Sequence, residues 1–295
     1  MAHTMLLLFI LLKETTMLYI FLLIVIFFTT PAWSQQELSK SINNNKNEIV
    51  TFALVPQQSA SKLAKKWIPI FKYLTKKTGI QISFRTAPNI PAFEAKLADG
   101  EYDIAYMNPY HYTVFSKEPG YLAFAKAKDK KIKGILVTSK ANPVLSFEQL
   151  HNQTLAFPAP AAFAATLLTQ ATLNKNKITY QSKYVSSHDS VYHNVAKGIY
   201  PAGGGILRTF GNISPEIRDK LKIFYTTNGY TPHAFAAHPR IDKKLISKLQ
   251  NAMAMMDTED EGRELLKSIN IKGIDVAKNS DWDDVRQLNI NIKLD

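Results

Sequence analysis

Five segments carry groups able to do chemistry: three lie where a strand would hand over to a helix, one at a strand end and one at a glycine-rich turn. The first is Val55–Ser61 (VPQQSAS). Its amides and hydroxyls, Gln57, Gln58 and Ser59, could cap a helix whose free N–H groups favour an anion. The second is Tyr102–Tyr112 (YDIAYMNPYHY), which sets Tyr106, Asn108, Tyr110, His111 and Tyr112 at or just past a strand end. Hydrogen-bonding rings and amides on a rigid platform suit ligand recognition, with core packing the alternative role for some of the rings. In the third, Phe157–Ala164 (FPAPAAFA), the side chains are apolar, so only main-chain N–H groups near Ala162 and Phe163 could meet an anion. The fourth, Ser187-His188-Asp189-Ser190, offers His188 as a donor or a group titrating near neutrality, with Asp189 as a helix cap. In the fifth, Gly203–Thr209 (GGGILRT), the glycines read as a turn and Arg208 could hold an anion bidentately.

Those groups point to binding rather than turnover. The chain holds no G-x-x-x-x-G-K-[ST] loop, no H-E-x-x-H and no nucleophile elbow, and it has no Cys. Thiolate metal sites, a cysteine nucleophile and a thioether-linked lipid anchor are thereby excluded. His151, His193, His233 and His238 lack metal spacing and read as surface or packing residues, so neither a metal nor a cofactor is expected.

The elements that must position these segments alternate along the chain. Ile49–Val55 reads as a buried strand, and Leu63, Trp67, Ile70, Phe71 and Leu74 mark one face of a helix ended by Gly79. Strands are expected over Ile80–Thr86, Tyr102–Met107, Leu122–Ala127 and Ile132–Thr138, with a short helix over Pro91–Ala98. A capping-box spacing at Ser146–Gln149 opens a second set: strand Thr154–Phe157, helix Ala162–Leu173, strand Ile178–Ser186, helix Ser190–Ala196 and strand Ile223–Thr226. Leu245, Leu249, Ala252, Met253 and Met256 line a long C-terminal helix, and Trp282, Val285 and Leu288 a last short one. Two α/β sets imply two lobes, each a sheet covered by helices, with a crevice at the strand ends.

Of 295 residues, 46% are hydrophobic, enough for a sizeable core. The formal charge is +12, spread along the chain without a basic block, which reads as a solvated surface and not as a nucleic-acid stripe. Residues 1–34 differ from the rest. Two apolar runs, Met5–Leu12 and Leu18–Phe28, flank Lys13-Glu14-Thr15-Thr16, and Ala32 and Ser34 suit a cut before Gln35. This reads as a secretory signal, with Met17 an alternative start and an uncleaved anchor the competing reading. Residues 35–48 form a polar tether containing Asn43–Asn47 (NNNKN). The mature protein is then expected to be soluble outside the cytoplasm.

VPQQSASKLAKKW (Val55–Trp67), FEAKLADGEYDIAYMNPYHYTVF (Phe93–Phe115) and SSHDSVYHNVAKG (Ser186–Gly198) together resemble the periplasmic phosphonate-binding family, from about Ile49 to about Pro239. These are the substrate-binding subunits of ATP-binding-cassette importers for phosphate, phosphite and phosphonates. The resemblance implies a two-lobed α/β fold of the periplasmic-binding-protein kind (type II-like), with two hinge strands. Lobe 1 would comprise residues 49–139 plus 233–295 and lobe 2 residues 140–232, the chain leaving near Lys140 and returning near Thr231. It places the family's first binding loop on Gln57, Gln58 and Ser59, its tyrosine between Tyr106 and Tyr110, and its Ser-His pair on Ser187 and His188. The family's hydroxyl-rich Ser-Thr-Ser run falls instead on Ala161-Ala162-Phe163, and its acid near Tyr200-Pro201. Backbone N–H groups at Ala162–Ala164 with Arg208 would replace part of that run, and the missing acid disfavours an aminophosphonate.

The expected function is a monomeric, non-enzymatic solute-binding protein that closes on a small phosphonate-, phosphate- or phosphite-like anion and delivers it to a membrane permease. Two alternatives share the fold. One is a ligand sensor partnering a membrane histidine kinase; the other is an enzyme using His188 or His111 as acid–base.

Overall fold

A computed structural model describes residues 49–290, and the signal expected at 1–34, the tether expected at 35–48 and residues 291–295 lie outside the described residues. Strand β1 (Ile49–Leu54) is followed by helix α1 (Ala60–Thr78), whose Leu63, Trp67, Ile70, Phe71 and Leu74 are all buried. The helix stops at Gly79, where φ is 75°, a left-handed C-cap that costs glycine little. Strand β2 (Gln81–Arg85), helix α2 (Ile90–Ala98), strand β3 (Ile104–Met107), helix α3 (Pro109–Phe115) and strand β4 (Leu122–Ala127) follow. Then come β5 (Gly134–Ser139), β6 (Gln153–Phe157), α4 (Leu168–Lys175), β7 (Tyr180–Tyr184), α5 (His188–Ala196), β8 (Ala202–Ile206), α6 (Leu207–Asn212), α7 (Pro215–Arg218) and β9 (Leu221–Thr226). The chain ends with β10 (Ala234–Ala237), α8 (Lys243–Ala254), α9 (Asp260–Ser268), β11 (Ile274–Val276) and α10 (Asp283–Arg286).

Two mixed sheets result, each covered by helices. The first has the order β11-β4-β10-β3-β1-β2, with β2, β1 and β3 parallel and β10 antiparallel between β3 and β4. The second has the order β7-β6-β8-β5-β9, in which β7, β6 and β8 are parallel and β5 runs against β8 and β9. Parallel strands joined through helices put their C-terminal ends, and the loops leaving them, on one edge. In each lobe that edge faces the other lobe.

The change of lobe differs from the sequence expectation. It was placed near Lys140, but β5 pairs with β8 and β9, so Gly134–Ser139 belongs to the second lobe and the first crossing lies at residues 128–133. The alternation of Ile132–Thr138 identified a strand without telling which sheet it joins, because sheet membership is fixed by non-local pairing. The two crossings pair with each other through Ile132 and Tyr230.

The glycine triplet is also not a turn. Gly203, Gly204 and Gly205 lie inside β8, fully paired with β5 at Val137, Leu136 and Ile135. A Cβ on Gly204 would come within 2.8 Å of the Phe157 ring and closer still to the Ala165 carbonyl oxygen. The missing side chains thus let a helix settle onto the sheet. That helix opens with a single wide π-helical turn (Phe163–Leu167), where the Leu168 N–H bonds to the Phe163 carbonyl. The regular helix expected from Ala162 begins only at Leu168. Helices α3, α6, α7 and α9 and strands β10 and β11 were not foreseen. Ala234–Ala237 is four residues long and buried on both faces, so it lacks the alternation that reveals a strand.

Candidate functional site

Strand β1 delivers the first loop. The Val55 N–H continues the parallel pairing to the Tyr106 carbonyl (3.1 Å), and the Gln57 N–H turns back to the Val55 carbonyl (2.8 Å). This turn buries Gln57 and Gln58, while Ser59 stays exposed. Gln57 bridges two groups, its Oε1 accepting from the Arg208 guanidinium and its Nε2 lying 2.9 Å from His233 Nε2. An arginine can only donate, so the Gln57 oxygen faces Arg208 and its NH₂ faces the histidine. His233 Nε2 is therefore the acceptor. Burial, reinforced by Arg208, lowers the His233 pKa well below its ordinary value, so the ring is neutral.

Tyr106, at the end of β3, is packed against Trp67 (5.1 Å between ring centroids), His233 (4.9 Å) and Phe235 (4.5 Å). The Arg208 guanidinium lies 5.5 Å from the centre of the Tyr106 ring, at cation–π distance. Burial raises the Tyr106 pKa and Arg208 opposes the shift, so the phenol keeps its proton. Among the described residues its hydroxyl has no hydrogen-bond partner.

The second lobe supplies the opposite wall. Ser187 is the N-cap of α5, its Oγ accepting from the Ser190 N–H at 3.1 Å. Asp189, expected as the cap, lies in the first turn and reaches across the cleft to Lys62 Nζ at 2.6 Å and Gln58 Nε2 at 3.4 Å. His188 is buried, with Nδ1 3.3 Å from the Thr209 hydroxyl and its N–H bonded to the Gln57 carbonyl. It does not titrate near neutrality as its position suggested. Burial first and Arg208 second push its pKa down to about 3.

Asn108 spans the lobes as well. Its Oδ1 caps α3 by accepting from the His111 N–H at 2.8 Å, and its Nδ2 donates to the Ala161 carbonyl at 3.0 Å. Directly beyond, Ala162 and Phe163 are buried, and Phe163 joins an apolar cluster running through Val55 and Ile90 of the first lobe. The Thr166 hydroxyl is turned inward to the Ala159 carbonyl at 2.7 Å.

Three spaces lie between the lobes. One, bounded by Gln57, Asn108, Ala162, Phe163, His188 and His233, measures only about 10 Å³. A more open recess of about 490 Å³ carries Gln58, Ser59, Ser187 and Asp189 on its walls. The third, on the hinge side, is about 290 Å³ and is lined by Tyr106, Lys130, Lys131, Lys133, Arg208 and His233 together with apolar side chains. The eleven residues singled out from sequence therefore separate. Gln57, Tyr106 and Arg208 form one connected group; Asn108, Ala162, Phe163 and His188 enclose the narrow space; Gln58, Ser59 and Ser187 face the open recess. Tyr110 leaves the set, because α3 turns it away to a separate cavity with Thr113, Lys117 and Arg286.

Sequence reasoning missed His233, read as a surface or packing histidine, and the lysines at 130, 131 and 133. The available signal was a dense Lys run, Lys128–Lys133 (KDKKIK), falling on what the sheets reveal as the first crossing. Among the described residues Arg208, Lys130 and Lys133 have no carboxylate partner, whereas Lys131 pairs with Asp284 at 3.2 Å. No group of three or more His, Cys, Asp and Glu side chains suited to a metal occurs among the described residues.

Similarity to known proteins agrees with this architecture. The phosphate-import protein PhnD of Mycolicibacterium smegmatis is 21% identical over 245 residues, covering 73% of this chain and 75% of that protein. The binding protein component of an ABC phosphonate transporter from Pseudomonas aeruginosa superposes with a TM-score of 0.75 at 16% identity, over 82% of this chain and 85% of that one. PhnD1 from Prochlorococcus marinus, solved in complex with methylphosphonate, gives 0.73 at 17% identity, over 83% and 99%. The profile of the family described as "ABC transporter, phosphonate, periplasmic substrate-binding protein" matches residues 52–282, and with that span and this two-lobed fold the chain belongs to that family of importer subunits.

Proposed function

We propose that the protein receives a small anionic solute of the phosphonate, phosphate or phosphite type between its lobes and presents it to a membrane permease. The observation that carries this reading is Arg208, held at the cleft by Gln57 and Tyr106 and without a carboxylate partner among the described residues. Lys130 and Lys133 share its cavity, so the cleft offers an anion three cations that no acid among the described residues neutralises. The importer family supplies the partner, which favours uptake over signalling to a kinase. Closure is a hinge motion about residues 128–133 and 227–233, with Lys62–Asp189 and Asn108–Ala161 as latches.

Binding proceeds without turnover in this reading. His188 and His233 are the imidazoles nearest the cations, and both are held neutral by burial and by Arg208. Neither is poised to exchange protons at neutral pH. The protein acts as a monomer in the periplasm after removal of residues 1–34; no Cys is available for a lipid anchor.

The test is titration calorimetry on protein purified from the periplasm of an expressing host. Phosphate, phosphite and organophosphonates are compared with neutral and cationic solutes of equal size, at low and high salt. Anion binding that weakens with salt is expected. Binding confined to neutral or cationic solutes would defeat the reading.

A further inference from the structure

The tetrahedral-anion position next to Ala162 and Phe163 is closed. Its 10 Å³ is about the space one water needs, whereas a phosphorus oxyanion has five non-hydrogen atoms. The polar side chains around it are engaged: Asn108 with Ala161 and His111, His188 with Thr209, and Thr166 with Ala159. Widening it would require lifting the π-helical turn. That turn rests on glycines: a Cβ on Gly134 would strike the Ala164 carbonyl, and one on Gly204 that of Ala165. Phe163, 1% exposed, pins the turn from the other side.

The hinge-side cavity has the opposite character. At about 290 Å³ it is nearly thirty times the volume of the narrow space. Arg208, Lys130 and Lys133 provide charge, and the Tyr106 hydroxyl provides an unused donor. The rest of the wall is hydrocarbon: Ile132, Ile206, Leu207, Pro232 and Ile271. Cations on an apolar wall suit a ligand with an anionic head and a carbon body.

We infer that the solute is an organic anion with a carbon body, its head against Arg208 and Lys130 and its body against Ile206, Leu207 and Ile271, rather than a bare oxyanion. This rests on the anion-binding reading above and narrows it to a substrate class. A bare phosphate at these cations would leave most of the apolar wall uncovered, so affinity should grow with the carbon body.

The experiment is calorimetry with phosphate, methylphosphonate, phenylphosphonate and, as the uncharged counterpart, benzyl alcohol. It is run on the wild type, on Leu207→Trp, which fills the cavity from its partly exposed rim, and on Lys130→Gln. Phenylphosphonate is expected to bind at least tenfold more tightly than methylphosphonate, and benzyl alcohol not to bind. Each substitution should weaken phenylphosphonate at least fivefold. The wild-type ranking decides the matter even if a variant fails to fold. Phosphate or methylphosphonate binding as tightly as phenylphosphonate overturns the inference and leaves the anion reading standing. Binding of benzyl alcohol alone, or of nothing in the set, overturns both.

Discussion

Replacing Arg208 by Gln tests the cleft at the cation held between Gln57 and Tyr106. The guanidinium donates to Gln57 Oε1, lies 5.5 Å from the Tyr106 ring centre and has no acid beside it among the described residues. Glutamine keeps a donor and much of the volume but removes the charge. A hydrogen bond to a charged group contributes about 1.5–3 kcal/mol, so the dissociation constant for an anion should rise about 10- to 150-fold. A second consequence has the opposite sign for the histidines. Arg208 adds to burial in depressing both His188 and His233, so without it both should take up protons at higher pH than before. Calorimetry at two salt concentrations reads the first effect, and the imidazole resonances in a pH titration read the second. The salt dependence of binding should become shallower in the variant. An affinity within about twofold of wild type, with unchanged salt dependence in a folded variant, would refute the reasoning.

Two further outcomes follow from burial and packing. His188 and His233 are neutral inside the fold, with His188 at about 3 against 6.5 for a free imidazole, so the unfolded chain binds protons first as pH falls. The contribution of His188 is complete above 6.5 and is lost progressively toward 3, forfeiting about 2 kcal/mol at pH 5, and His233 adds a loss of the same sign. Urea unfolding at pH 7.5 and pH 5 should register this, and His188→Gln should remove its share; a flat profile in wild type would contradict the assignment. Gly204→Ala places a methyl against the Phe157 ring and the Ala165 carbonyl, so it should destabilise by about 1–3 kcal/mol or more. Thermal unfolding checks it, and an unchanged melting temperature would mean that the π-helical turn does not rest on β8.

The C-terminal ends of β1 and β3 were legible because their signals are local. A buried strand, a polar loop and an amphipathic helix follow one another from Ile49 to Gly79, and the structure reproduces that order. Gln57 and Tyr106 could be named because amides and phenols at strand ends have few structural uses, and Arg208 because it is a guanidinium following a glycine run. What they touch was not legible. Tyr106 and Tyr110 are four residues apart and equally aromatic, yet one faces the cleft and the other a cavity beside Arg286. The N-cap at Asn108 starts a helix between them and rotates Tyr110 away.

The sequence by itself determined the alternation of strands and helices, the family, and the loops that could meet a ligand, because hydrophobic period, caps and motif spacing are written in neighbouring residues. Only the tertiary structure decided which sheet β5 joins, that the glycine triplet is a strand under a sunken helix, and that His233 stands beside Gln57. It also decided that the expected anion position is filled while a cationic cavity remains at the hinge. Each of these depends on residues from about 39 to 176 positions apart meeting in space, and no local pattern encodes which distant surface a side chain will face.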